Sequence, residues 1–336
     1  RLFAVWAHGG AVMLATSEDG GTDWSAPVAV HDGALEVAAY DVSHPQVVVG
    51  AGRIVVSLAP RQHQYLYVGD TTTLTFSDGV FIGAPDLKFE DLFIRSAIAP
   101  DGEVWTSFHA FPAGNGWSDG WKGVARESTG WALERASDAA PGLPCECCPQ
   151  DLTFSTDGVP LLGYRNNDDD IRDMFVASGA GFATSTQVGQ TDWAITYCPV
   201  QGPRLDRLPG GDILMAWSDA SLGDASVLVA ASEDGGDSWS PPVTALVEAG
   251  EDHKSPTIAA GGPGEAWLTT CTRHDGEGGV AHSADAGRSW SSRAPLLVEG
   301  GPLLFPEVAA NASQAGVVGV DGSGRVWYLP VQAPAD

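Results

Sequence analysis

Short apolar runs recur along the chain, and each ends in a polar turn that contains glycine. Residues 12–15, 227–231 and 279–282 are such runs. They have the length of strands, and no segment approaches the ~18 uninterrupted apolar residues that a bilayer-spanning helix needs. The pattern predicts many short strands joined by tight turns, and a content of Gly 42, Pro 22 and Trp 12 with few Lys agrees with it. A chain of 336 residues can bury a large core, as several domains or as one repeat array.

The turns after those three runs share one pattern, S-x-D-x-G-x-x-W. It is carried by Ser17, Asp19, Gly21 and Trp24, by Ser232, Asp234, Gly236 and Trp239, and by Ser283, Asp285, Gly287 and Trp290. The Asp can accept backbone N–H groups within the turn, the Gly permits positive φ, and the Trp can pack back between strands. The pattern resembles the Asp-box, or BNR, repeat of sialidases and their relatives. That resemblance implies an all-β fold, a β-propeller of four-stranded blades with each box between the third and fourth strands. One propeller domain over residues 1–336 is expected.

Ser232 and Ser283 lie 51 positions apart, a plausible blade length. The interval from Ser17 to Ser232 leaves room for three blades with decayed boxes near Gly69-Asp70, Glu127-Ser128 and Ser178-Gly179. A last partial unit runs from Phe305 to Tyr328. Three strands in the first unit, four in each of five units and three in the last favour seven blades. Six, the usual sialidase number, is the alternative. The boxes themselves are read as structural.

In such blades the box turns mark one face, and the turns between second and third strands share the other with the crossovers. Aligning the blades at His44-Pro45, Cys148-Pro149, Cys198-Pro199, Ser255-Pro256 and Phe305-Pro306 gives one register. The residue before each Pro is expected to be extended and to ring the channel mouth. On this assignment all five cysteines fall on the face opposite the boxes, with every histidine except His282.

Pro144-Cys145-Glu146-Cys147-Cys148-Pro149 is the most unusual segment. With Cys198 from the next blade it makes a cluster of soft donors, which prefer Cu(I), Zn or Fe–S to hard cations. Its spacing is neither the C-x₂-C of structural zinc nor that of ferredoxins. The expected metal ligands are Cys145, Cys147, Cys148, Cys198, His253, His44 and Cys271, with copper as first choice and zinc as second. Disulfides between blades are the competing reading, favoured by an extracytoplasmic compartment. An odd cysteine count leaves at least one thiol outside any set of intrachain disulfides. Glu146, Arg165, Arg172, Asp173, Trp193 and Tyr197 are expected around the cluster or at a substrate. The cysteine stretch, the Arg165–Arg172 turn and the segment from Trp193 to Cys198 together resemble a subgroup of bacterial sialidase-like propeller proteins.

A formal charge of −26 disfavours nucleic acid and anionic membranes as partners. A periplasmic or secreted location is expected, although no signal peptide is visible. The expected partners are a metal ion and a small-molecule substrate or copper-trafficking protein. Likeness to sialidases also implies a test: such enzymes hold the substrate carboxylate with arginines and use a Tyr–Glu pair. The nearest match to their first arginine motif is Phe93-Ile94-Arg95-Ser96, and Tyr164, Tyr197, Glu146 and Glu307 are the nearby Tyr and Glu. Copper binding, transfer or redox catalysis is the leading function. A sialidase-type hydrolase or glycan-binding propeller with disulfide-locked blades is the alternative.

Overall fold

A computed structural model describes residues 1–31, 44–59, 63–89, 93–114, 119–247, 253–272 and 276–334. Among the described residues, seven antiparallel sheets of three to five strands stand around one axis as blades, the number favoured by strand count, and Leu297–Val298 with Gly301–Pro302 makes a separate two-stranded pair. The inner strands of the blades are Leu2–His8, Gln46–Gly50, Arg95–Ile98, Gln150–Phe154, Arg204–Arg207, His253–Ala260 and Leu304–Asn311. The fifth blade shows the full order, from Arg204–Arg207 through Ile213–Asp219 and Ser226–Ser232 to Val243–Leu246. Side chains alternate between the two faces of each sheet, and neighbouring blades cover both faces, so middle strands such as Ile213–Asp219 and Ser226–Ser232 are buried along their whole length. The core is accordingly a series of apolar layers. Leu152, Leu162, Val124 and Trp105 fill the one between the third and fourth blades, and Leu214, Val229, Leu268 and Ile258 that between the fifth and sixth.

The three S-x-D-x-G-x-x-W turns repeat one set of hydrogen bonds. Ser17 Oγ donates to Asp19 Oδ1 (2.8 Å) and accepts from the Gly21 N–H (2.8 Å), while Asp23 N–H donates to Asp19 Oδ1 (3.0 Å). Ser232, Asp234 and Ser238, and Ser283, Asp285 and Ser289, make the same bonds. These hydrogen bonds to the ionised form hold Asp19 and Asp234 below the usual carboxylate range. The glycines have φ of +95°, +101° and +79°. Each turn also packs on the preceding blade: a Cβ at Gly236 would strike Leu161, and one at Gly287 would lie 3.0 Å from Leu214.

In the first sheet the turn follows the second strand, so Leu2–His8 occupies the innermost place although its direction is that of a second strand. The ring closes where Gly21 meets the Tyr328 ring, which stands edge-on to Trp24 with centroids 5.4 Å apart. The apolar clusters among the described residues join consecutive blades from first to seventh; this last seam uses the aromatic pair instead.

Two details of the expected register change. Ser255 and Phe305, which precede prolines, are not extended but left-handed, with φ of +47° and +50°. Proline excludes the right-handed helical region for its predecessor, and here the chain answers with a bulge. The pairing jumps between Lys254 and Thr257 and again between Leu304 and Glu307. In the fifth blade the inner strand begins after Gly202-Pro203, at Arg204, and not at Cys198-Pro199.

Gly9 and Gly21 both have positive φ, but only Gly21 packs against another blade. Gly9→Ala is expected to cost about 1 kcal/mol of backbone strain, and Gly21→Ala a further 1–3 kcal/mol of overpacking against Tyr328. Denaturant unfolding of the two variants measures the difference.

Candidate functional site

The inner strands enclose a central cavity of about 830 Å³. Its polar lining comes from the start of these strands, chiefly Arg95, Asp151, Arg204, Asp206, Glu307 and, just upstream of its strand, His44. Strand alternation sorts the fifth blade's residues: Leu205 packs into the apolar layer against the fourth blade, and Arg204 and Asp206 lie on the opposite face of the strand, at the cavity.

Glu307 organises the cations. Its Oε1 accepts from Arg204 Nη2 at 3.1 Å and lies 2.8 Å from His44 Nε2. Burial opposes its ionisation, but the charges of Arg204 and His44 outweigh that and hold the carboxyl down at about 2. Arg95 is 3 % exposed, and its Nε and Nη2 have no hydrogen-bond partner. Burial, with Arg204 close by, lowers its pKa to about 9. An unsatisfied guanidinium edge beside a second arginine is a receptor for an anion, best for one with two parallel acceptor oxygens.

Asp151 and Asp206 have a different part. Asp151 Oδ2 accepts the Leu205 N–H at 2.8 Å, and Asp206 Oδ2 the Ala260 N–H at 2.7 Å. Thr257 Oγ1 takes the Val308 N–H at 3.1 Å in the same way. Burial raises the pKa of both aspartates, against the pull of the arginines and backbone N–H groups.

The second site lies outside the cavity lining. The segment before the fourth inner strand is anchored by pairing of Leu143–Pro144 with Asn166 and Asn167, and by the Cys145 N–H donating to the Arg165 carbonyl at 2.9 Å. The Sγ atoms of Cys145, Cys147, Cys148 and Cys198 all lie within 4.8 Å of one another. Cys147 and Cys198 form a disulfide with Cα atoms 6.2 Å apart, whereas Cys145 and Cys148 are buried free thiols with Sγ atoms 2.8 Å apart. Burial works against a Cys145 thiolate. The Cys148 thiol, the Cys147 N–H, Arg172 and Lys122 overcome it and bring Cys145 to about 6, while burial and its partner push Cys148 up. Gly202 makes the approach possible, since a Cβ there would strike the Pro149 carbonyl.

The expected ligands are thus only partly gathered. His44 stands at the cavity on Glu307, and Cys271 lies in the sixth blade with its thiol 3.7 Å from the Lys254 carbonyl. The side chain of His253, like all of His274, is outside the described residues. Glu146 is 3.7 Å from Arg172 Nη1, and that guanidinium also donates to Cys145 Sγ at 3.1 Å. Arg165, considered for substrate, is fully buried and gives its hydrogen bonds to the carbonyls of Gln201, Arg172 and Ser218 at 2.6–2.8 Å. It lies over Trp193. Asp173 accepts from Thr191 and Gln187 at 2.8 Å and shapes the Trp193 loop. Tyr197, expected around the cluster or at a substrate, is 60 % exposed. Buried Tyr164 donates or accepts at Ser185, away from the cavity. Arg204, Asp151 and Asp206 are the residues that the aligned prolines did not single out; Gly202-Pro203-Arg204 carried the signal for the first of them.

No protein-family model matches the chain, and neither does any curated protein. Solved structures do match in fold. A Hadza microbial sialidase aligns with a TM-score of 0.55 and 13% identity, over 96% of this chain and 73% of that one. A protein of unknown function from Dyadobacter fermentans aligns at 0.54 and 14% identity, over 87% and 95% of the two chains. The Penicillium chrysogenum α-L-arabinanase, complexed with arabinobiose, aligns at 0.53 and 11% identity, over 88% and 94%. The fold is therefore a sialidase-like β-propeller.

Replacing Arg165 with Lys removes a planar fork that serves three buried carbonyls, and a loss of about 3 kcal/mol or more is expected in denaturant unfolding. Glu307 binds fewer protons folded than unfolded between its folded value of about 2 and the ordinary 4.5. Its stabilisation is complete above the ordinary value and is lost as pH falls through the folded one. Glu307→Gln is therefore expected to flatten the acid limb of the stability curve in that window, as read by thermal unfolding across pH.

Proposed function

We propose that the chain binds and hydrolyses a glycoside bearing a carboxylate, held in the central cavity. The observation that carries this reading is the pair Arg95 and Arg204, one of them buried with two unpartnered nitrogens at the cavity. A carboxylate offers the two parallel acceptors that such an edge lacks, in a site partly shielded from water, where charge-assisted hydrogen bonds are strongest. Most glycoside hydrolysis, sialidases with their Tyr–Glu pair excepted, uses one protonated and one ionised carboxyl group. Asp151, raised by burial, and Glu307, held ionised by Arg204 and His44, are pushed apart in that sense. Asp151 is the acid and Glu307 the base in this scheme. The fold shared with a sialidase and an arabinanase supports the substrate class, and the arginine pair selects an acidic member of it.

The test is a panel of fluorogenic glycosides: a sialoside, a glucuronide and a galacturonide, with a neutral arabinofuranoside as control. Turnover of an acidic substrate is expected, with kcat/KM lowered by about 100-fold or more in Arg204→Gln, chiefly through KM. Glu307→Gln is expected to lower kcat. No turnover of any acidic glycoside between pH 4 and 8, together with no binding of the free acids by calorimetry, would rule the reading out.

A further inference from the structure

The cavity reading leaves the four clustered thiols without a task. We propose that Cys145, Cys147, Cys148 and Cys198, in their reduced form, make a binding site for the soft cation Cu(I). Four Sγ atoms lie within 4.8 Å of one another, near enough to converge on one ion, whose tetrahedral thiolate ligands at ~2.3 Å stand about 3.8 Å apart, once reduction parts Cys147 from Cys198. Cys145 and Cys147 lie 3.9 Å apart.

Two of the sulfurs also receive N–H donors of the kind that orient thiolate ligands. Arg172 Nη1 donates to Cys145 Sγ at 3.1 Å, and the Val200 N–H donates to Cys198 Sγ at 3.3 Å. Val200 makes its bond from the left-handed region, φ +53°, a costly place for a β-branched residue. Buried Lys122 adds positive charge nearby, with Nζ donating to the Cys148 carbonyl at 2.5 Å. A disulfide between Cys147 and Cys198 needs none of this, and it leaves unexplained why two further thiols are buried against it.

Donor type and spacing choose the metal. All four donors are sulfur, which selects Cu(I) or Zn(II) among common ions. Cys145 and Cys148 have the C-x₂-C spacing of structural zinc turns, and the departure from a zinc site lies in the third thiol, Cys147, set inside that turn and adjacent to Cys148. Cu(I) accepts two or three thiolates and so does not need all four sulfurs on one tetrahedron. Cys145 and Cys148 are buried and Cys147 and Cys198 half-buried, so the donor set opens toward solvent on one side. The disulfide and the copper-loaded state are alternatives, because oxidation removes two of the donors.

Protein is first reduced with a water-soluble phosphine. The phosphine becomes its oxide with an oxygen atom from water, and Cys147 and Cys198 gain two electrons and two protons as thiols. After desalting without oxygen, the chain is titrated with Cu(I) against bicinchoninate. Wild type is expected to withdraw copper stoichiometrically and to show thiolate-to-copper absorption in the ultraviolet. Cys145→Ser/Cys148→Ser is expected to withdraw none, and Cys271→Ser to match wild type. Arg172→Gln is expected to weaken binding by about 10–100-fold. Should the double variant fail to fold by circular dichroism, Cys198→Ser at the half-buried rim replaces it; weakened binding supports the site. Equal uptake by wild type and whichever cysteine variant is used overturns the proposal. So does complete displacement of the copper by equimolar Zn(II).

Discussion

A propeller's inner strands each turn one ladder edge toward the axis, where no further strand pairs with it. Unpaired backbone N–H groups there would cost about as much as lost hydrogen bonds. The fourth, fifth and sixth blades meet this cost with a side chain. Asp151 takes the Leu205 N–H, Asp206 the Ala260 N–H, and Thr257 the Val308 N–H. The partners are separated by 54, 54 and 51 residues, which is the blade length itself. These bonds fix the rotation of each blade against the next, and so they fix which side chains face the cavity. Burial raises the pKa of both aspartates, so the same groups that tie the ring carry protons more readily than an exposed carboxyl.

Much of this was legible in the chain. The S-x-D-x-G-x-x-W turns determine their own hydrogen bonds through residues four apart, and local patterns of that kind survive any tertiary context. The strand count followed from them. Register at the channel mouth was harder to read, because an X-Pro pair occurs twice before the fifth inner strand, at Cys198-Pro199 and Gly202-Pro203. Choosing between them depends on the contact of Gly202 with the Pro149 carbonyl, some fifty residues away in sequence. Taking the first pair hides Arg204. The left-handed Ser255 and Phe305 were unreadable for a similar reason: the pre-proline restriction excludes one conformation without choosing among the rest.

The histidines show how a face differs from a site. His44 does lie near the channel mouth, as the register implied, but Glu307 occupies it at 2.8 Å. The thiols precede the inner strands of the fourth and fifth blades and converge beside the channel. Sequence alignment can place residues on one face of a propeller. It cannot say which of two clusters on that face a side chain will join, because that depends on charges brought in by other blades, here Glu307 from the seventh.

The overall charge of −26 would by itself repel an acidic glycoside. Screening limits that effect, since at physiological salt a surface charge acts over only about 8 Å. Arg95 and Arg204 act at contact distance, where burial weakens screening and leaves Arg95 with donors to satisfy. The local term therefore decides whether an anion binds, and the net charge alters mainly how fast it arrives. At the thiol cluster, too, local contacts outweigh burial: hydrogen bonds from Cys148 and the Cys147 N–H, with the charges of Arg172 and Lys122, favour the Cys145 thiolate. Both sites depend on one stretch of backbone. Cys198 and Arg204 lie on the same segment, and the passage of Gly202 against Pro149 sets its course. A Cβ at residue 202 would strike the Pro149 carbonyl, so a side chain there is expected to shift the segment that carries both Cys198 and Arg204.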